Sequence, residues 1–303
     1  MLDVLTMGEL LIDFVPLRSG VSLGEATVFK KAPGGAPANV AVGVRRLGLS
    51  SGFMGKIGDD EFGKSLVDLL AKNGVDVSGV VFEAKARTAL AFVSLGPGGE
   101  REFMFYRHPS ADMLLEPSEV NLELISAAQI FHHGSISLIN EPVRSATMVA
   151  IEAAKRAGVL VSYDPNLRLP LWPDERSARE GIISALPSAD IVKASAEELE
   201  FLTGATQIPA GLEKLKALAP GAVAIVITRG ARGCTLSTRR FTIEEAGFAV
   251  TPVDTTGAGD GFVAGLLAGL LRACPAGGGG ATQVTRVESA MNVVHRTDSL
   301  RKA

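Results

Sequence analysis

Apolar runs bounded by turn residues alternate with helix-period segments along most of the chain. The runs LDVLTMG, GFMGKIG, QIFHHGS, VLVSYDP, DIVKAS and AVAIVITRG read as strands. Most are continuously apolar rather than alternating, as strands of a parallel sheet covered on both faces should be. Between them the periodicity predicts helices over 38–47, 61–73 and 141–157, each followed by a glycine (Gly48, Gly74, Gly158). Pro142 in the first turn of the third fits the preference for proline at helix starts and glycine at helix stops. Repeated β-α-β units predict an α/β fold, a doubly wound and mostly parallel central sheet flanked by helices, with right-handed crossovers.

Two regions break this rhythm. Residues 12–32 hold the short strand-like pieces IDFVP and TVFKKA around a loop, and 86–108 hold two strand runs joined by Gly-Pro-Gly-Gly. The second is a hairpin signal. Neither fits a βα unit, and together they predict one small antiparallel β-sheet, a lid over one end of a single domain spanning 1–303. After residue 271 the rhythm stops. Residues 275–281, PAGGGGA, read as a flexible linker. Val284, Val287, Met291 and Val294 then recur at helical spacing, so a short amphipathic helix is expected and no final strand.

With 303 residues, 47% of them hydrophobic, the chain can build a large core. Charged residues make up 21%, the net charge is -3, and no basic face is clustered as a nucleic-acid partner would need. No apolar run reaches the ~18–20 residues of a membrane helix. The start, MLDVLTMGELLIDF, has no basic segment ahead of its apolar run, so no signal or transit peptide is expected. Cys234 and Cys274 are far apart and lack a CxxC partner, which predicts a reducing, cytoplasmic setting. The four histidines show no metal-ligand spacing; His132 and His133 are neighbours on a strand and should point to opposite faces.

The chemistry concentrates at strand ends, where open α/β sheets bind ligands. The segment 253–262, VDTTGAGDGF, is a Gly- and Thr-rich turn running into an apolar helix. Gly257 and Gly259 allow close backbone approach, and a helix N-terminus is positive, so the turn suits a phosphate. It lacks the Gly-Lys-Ser/Thr of a Walker loop. Asp260 in the first turn is either a helix cap or a base for a hydroxyl that attacks the phosphate. Upstream, 32–39 reads APGGAPAN, with Asn39 placed to donate to and accept from a polyol. Asp164-Pro-Asn-Leu-Arg168 follows VLVSY, Ser195-Ala-Glu-Glu198 follows DIVKA, and Thr228-Arg-Gly230 follows AVAIVI. Each closes a strand at the same edge.

With these residues placed, the chain resembles the ribokinase-like (PfkB) family of sugar kinases, most closely its plant-type fructokinases. PGGAPANVAVGVRRLG resembles the family's first signature and VDTTGAGDGFVAGLL its second. GKIGDDEFG, GEREFMFYRHPSADMLL, FHHGSISLI and SYDPNLRLPLWP also read like fructokinase. The resemblance implies transfer of ATP's γ-phosphoryl to the 6-hydroxyl of D-fructose. It implies Asp260 as catalytic base and Gly257, Ala258 and Gly259 as the anion hole. It implies that Asp13, Gly34, Gly35, Asn39, Arg107 and Arg168 face the sugar, and that Lys193, Glu198, Thr228, Gly230 and Gly233 lie by the nucleotide. Glu198 is expected to act on Mg2+ through water, although Ser195 stands where the family has asparagine. Asp254 is expected to serve a monovalent cation, K+. The lid is expected to close over the sugar and to make a homodimer. The tail over 272–303 departs from the family's usual ending. Two alternatives stay open on the sequence: a 2-keto-3-deoxygluconate kinase, with Arg107 and Arg168 pairing with a carboxylate, and a kinase-like scaffold protein impaired by its altered tail.

Overall fold

The computed structural model describes residues 1–18, 20–95, 101–251 and 255–273. The expected linker, the tail helix and Asp254 lie outside them. In chain order the strands are β1 (Leu2–Met7), β2 (Leu11–Pro16), β3 (Phe29–Gly34), β4 (Ser51–Gly58), β5 (Asp76–Glu83), β6 (Leu90–Leu95), β7 (Arg101–Tyr106), β8 (Ala128–His133), β9 (Leu160–Tyr163), β10 (Ile191–Ser195), β11 (Ala224–Thr228), β12 (Cys234–Ser237) and β13 (Thr242–Glu245). The helices are α1 (Ala36–Arg46), α2 (Glu61–Lys72), α3 (Leu122–Ser126), α4 (Val143–Arg156), α5 (Glu175–Ala185), α6 (Ala196–Thr203), α7 (Ile208–Leu218) and α8 (Ala258–Ala273).

Nine strands form the central sheet in the order β13-β12-β11-β10-β9-β8-β1-β4-β5. All pairings from β5 to β11 are parallel; β12 and β13 add antiparallel. The six predicted strands form its middle. The three that patterning does not predict, β5, β12 and β13, lie at the two edges. Part of each edge strand faces water, so none is a continuous apolar run. Winding reverses between β1 and β8. One branch runs out through β4 and β5, the other through β9, β10 and β11. The strand ends at that reversal are where an open sheet offers a crevice.

Helices cover both faces. Val4, Ile130, Leu160 and Ile191 pack under Val40 and Val44 of α1 and Val263, Ala264 and Leu267 of α8. On the other face Tyr163, Val192 and Ile225 pack against Ile182 of α5, Leu199 of α6 and Leu215 of α7. Both histidines of β8 are buried, and burial drops His132 to about 3 and His133 to about 4, so both stay neutral. No helix among the described residues is long and apolar enough to cross a membrane.

The two irregular regions do meet in one small sheet, ordered β3-β2-β6-β7. β2 pairs antiparallel with β3 and β6 with β7, as expected of hairpins. The central pair, β2 with β6, is parallel, because these strands come from separate insertions rather than from one hairpin. Phe14 stacks on Phe92 at 5.0 Å and meets Phe62 of α2 edge-on at 6.1 Å, which ties the lid to the body.

α1 and α8 run side by side in the same direction. Asn39 meets Asp260 near their starts, Gly43 meets Ala264 midway, and Arg272 donates to the Leu47 carbonyl near their ends. A Cβ on Gly43 would lie 2.6 Å from that of Ala264, so glycine sets the helix spacing. Gly43→Leu is expected to cost about 1–3 kcal/mol by overpacking. Gly265→Ala, on the open side of α8, should gain about 0.5–1 kcal/mol through helix propensity. Thermal unfolding followed by circular dichroism checks both. Equal effects from the two changes would contradict this packing.

Candidate active site

The crevice is built where the starts of α1 and α8 meet the strand ends. Gly35 caps α1 with φ 107, and a Cβ there would strike the Glu9 carbonyl at 2.3 Å. Pro37 follows in the first turn, so α1 begins two residues earlier than its periodicity predicts. Asn39 is thereby fixed in the first turn, and its Nδ2 donates to Asp260 Oδ2 at 2.8 Å. Asp260 lies in the first turn of α8, only 8% exposed. Gly257 holds φ 73, and a side chain there would point at both Asp260 and Asn39. First-turn N–H groups of a helix have no carbonyl behind them, and both helix dipoles point their positive ends here. Burial nevertheless raises the Asp260 carboxyl, against the pull of Asn39, Arg168 and Lys193. A carboxylate with a raised pKa beside an anion seat is suited to taking a proton.

On the lid side, Asp13 of β2 sits opposite Ala32 of β3, and a Cβ on Gly34 would strike its Oδ2 at 2.3 Å. A side chain there would push the Asp13 carboxylate out of its place. Burial raises Asp13 to about 6; the charge of Arg168 opposes this and that of Asp260 adds to it. Arg168 therefore stands in the electrostatic field of both acids. It leaves the 164–168 loop, where Asn166 takes φ 43. Two carboxylates hold that loop: Asp164 accepts from Asn166 N at 3.2 Å and Glu198 from Leu167 N at 2.8 Å.

Lys193 of β10 bonds both oxygens of Asp164, at 3.0 and 3.2 Å. Burial pulls the ammonium down, but Asp164, Glu198 and Asp260 outweigh it and hold it protonated. A Cβ on Gly259 would lie 3.5 Å from Lys193 Nζ, so a cation sits beneath the turn suited to a phosphate. Glu198 and Ser195 form a reciprocal capping box at the start of α6. Serine is an ordinary helix cap, which explains how it occupies the asparagine position without disturbing the helix start. Each Glu198 oxygen thus accepts one backbone N–H and keeps a lone pair for water. Thr228 lies beside Ser195 in register, and Gly230 and Gly233 shape the turn after β11 with φ 57 and 90.

Arg107 is placed differently from the others. It is 4% exposed, and its Nε donates to Asp112 Oδ2 at 3.1 Å, as does its Nη2. Sequence reasoning missed Asp112 and Glu9. Glu9 is buried, accepts from Ala36 N at 3.0 Å, and is pushed by burial up to about 7 while the Arg107 charge opposes the rise. Its signal was available, since it directly follows the central strand β1 and Gly8. Asp112 had no such signal: it lies in a single turn after the lid. Among the described residues no group of three metal-ligating side chains converges.

Comparison with known proteins accords with this geometry. The model of the pfkB family carbohydrate kinases matches residues 1–296, past the point where the tail departs from the usual pattern. The chain is 58% identical over 267 residues to probable fructokinase-7 of Arabidopsis thaliana, covering 87% of this chain and 77% of that one. It resembles fructokinase with bound ATP from Xylella fastidiosa, with a TM-score of 0.80, 37% identity, and 89% and 81% of the two chains covered. It also resembles a Vibrio cholerae fructokinase double mutant in its fructose-, ADP- and potassium-bound form, with a TM-score of 0.79, 36% identity, and 95% and 90% covered. The chain belongs to the pfkB family of carbohydrate kinases.

Proposed function

We propose that the protein transfers the γ-phosphoryl of ATP to the 6-hydroxyl of D-fructose, with Asp260 as the base. The observation that carries this reading is the position of Asp260: a buried carboxylate at the start of α8, held by Asn39 and next to the glycine turn. The fructokinase relatives at 58% and 37% identity support the substrate. The sugar would lie between the lid acid Asp13, Arg168 and the turn carrying Gly34, Gly35 and Asn39. Its 6-hydroxyl would point at Asp260, which orients it and takes its proton.

Phosphoryl transfer asks mainly for positioning and charge neutralisation. The N–H groups of Gly257, Ala258 and Gly259 would receive the transferred group, with Lys193 beneath them. Thr228, Gly230 and Gly233 would line the nucleotide. Mg2+ seeks oxygen ligands and usually keeps its waters. Glu198, with a lone pair left on each oxygen, fits contact through water, and the ion would supply charge neutralisation at the phosphates. K+ near Asp254 follows from the family resemblance; a cytoplasmic setting follows from the cysteine pattern, in keeping with the free thiol of Cys234. The lid exposes Met104 and Tyr106 on the face they share with Phe14 and Phe92, apolar surface suited to a second copy in a homodimer.

Asp260→Asn should lower kcat by about 10²–10⁴-fold while the Kd for fructose changes little, measured by ADP release and by calorimetry. Near-normal turnover would overturn Asp260 as base. The pH profile gives a second check. Asp13 must be ionised to accept from sugar hydroxyls, and its folded value is raised to about 6. The kcat/KM for fructose should therefore be full above pH 7 and fall as pH drops through about 6. Asp13→Asn should lower kcat/KM and remove that limb. A profile flat from pH 5 to 7 would contradict the role of Asp13.

A further inference from the structure

A guanidinium at the base of a sugar pocket is the natural partner of a substrate carboxylate, because the planar fork matches it. On the reading above, Arg107 would be the guanidinium available for that role. It follows β7, and Glu9 links it to the substrate turn: the Glu9 carboxyl accepts from Ala36 N and feels the charges of Arg107 and Asp112. Yet the charge of Arg107 is already matched by a buried carboxylate. Asp112 Oδ2 takes two of its N–H groups, and Asp112 Oδ1 is fixed in turn by the Ser110 hydroxyl. All three residues, and Glu9, are buried.

The same imbalance holds nearer the reacting end. The charge of Arg168 acts on both Asp13 and Asp260 and pulls both down. Asp112 and Glu9 thus act on Arg107, and Asp13 and Asp260 on Arg168. A ligand carboxylate entering here meets Arg107 already paired with Asp112 and several further acids, which is a basis for discrimination. A neutral ketohexose, which needs acceptors for its hydroxyl protons, is served by the same acids.

We propose that Glu9 and Asp112 are specificity-determining residues: by closing Arg107 they exclude sugar acids and leave the site to uncharged ketohexoses. This rests on the fructose reading above. It also carries a converse. Weakening the acidic pair should free Arg107 to receive a carboxylate, so the chain carries a latent site for 2-keto aldonic acids of the same length as fructose. Burial raises the Glu9 carboxyl to about 7, so near neutral pH its charge is partly present and Asp112, in direct contact with Arg107, is the stronger lock.

The test measures kcat/KM for D-fructose and for 2-keto-3-deoxy-D-gluconate in the wild type, Asp112→Asn and Glu9→Gln, with folding checked by circular dichroism. Glutamine can still accept from Ala36 N, so the second variant keeps the substrate turn in place. The wild type should use fructose and not the acid. The acid-to-fructose ratio should rise at least tenfold in Asp112→Asn and at least threefold in Glu9→Gln. Where Asp112→Asn does not fold, Glu9→Gln decides by the same ratio. Ratios within twofold of wild type in the folded variants overturn the proposal. A wild type that uses the acid as well as fructose overturns it too, and leaves the fructose reading standing. A wild type inactive on both sugars overturns the fructose reading instead. The exclusion is then read from D-gluconate affinity, which must rise at least tenfold in Asp112→Asn, or threefold in Glu9→Gln where only that variant folds, for the proposal to survive.

Discussion

The hydrogen bond from Asn39 to Asp260, 2.8 Å long, joins two helices whose residues stand 221 positions apart. Such a bond to a charged acceptor is worth roughly 1.5–3 kcal/mol, but its larger effect is geometric. It fixes the starts of α1 and α8 side by side, so that two helix dipoles and the Gly257–Gly259 turn face one point. Gly43 against Ala264 sets the spacing below it, and Arg272 against the Leu47 carbonyl closes the far end. The parallel helices form a rigid frame, and the reacting carboxylate sits at its open end. Rigid elements hold a site more precisely than loops do.

Around that frame the charges divide into two regions. Beneath the phosphate seat, Lys193 is clamped by Asp164 and stays protonated in a buried setting. Toward the lid, acids outnumber cations, and burial raises Asp13, Glu9 and Asp260 together. A polyol and a phosphate ask for opposite surroundings, and the crevice supplies each on its own side. Asp164 and Glu198 join the two. Both also hold the loop that carries Arg168, so the nucleotide side and the sugar side share supports.

Much of this was legible in the sequence. The middle of the sheet showed itself because parallel strands are buried on both faces. The edge strands did not, because water on one side breaks the apolar run. Along the face under α1 and α8, each strand turns polar two residues past its apolar position: Val4 to Thr6, Ile130 to His132 and Leu160 to Ser162 in register, and Ile191 to Lys193 two residues further along. These positions were hidden because each switch is a single residue inside an apolar run. The glycine turns and Asp260 were visible as signatures. Asp112 was not, and Glu9 showed only by its place after β1, since the meaning of both depends on Arg107, whose charge Glu9 feels across about a hundred residues of chain. Sequence spacing reports what lies on one element; pairings made by the lid folding back appear only in three dimensions.

The claim that Asn39 works through Asp260 is tested most directly by a double-mutant cycle on kcat with Asn39→Ala, Asp260→Asn and the pair together. Groups acting as one unit are not additive. Asn39→Ala should therefore slow the wild type clearly and leave the Asp260→Asn enzyme almost unchanged. Equal losses in both backgrounds would contradict the claim, because they would show that the two residues act independently.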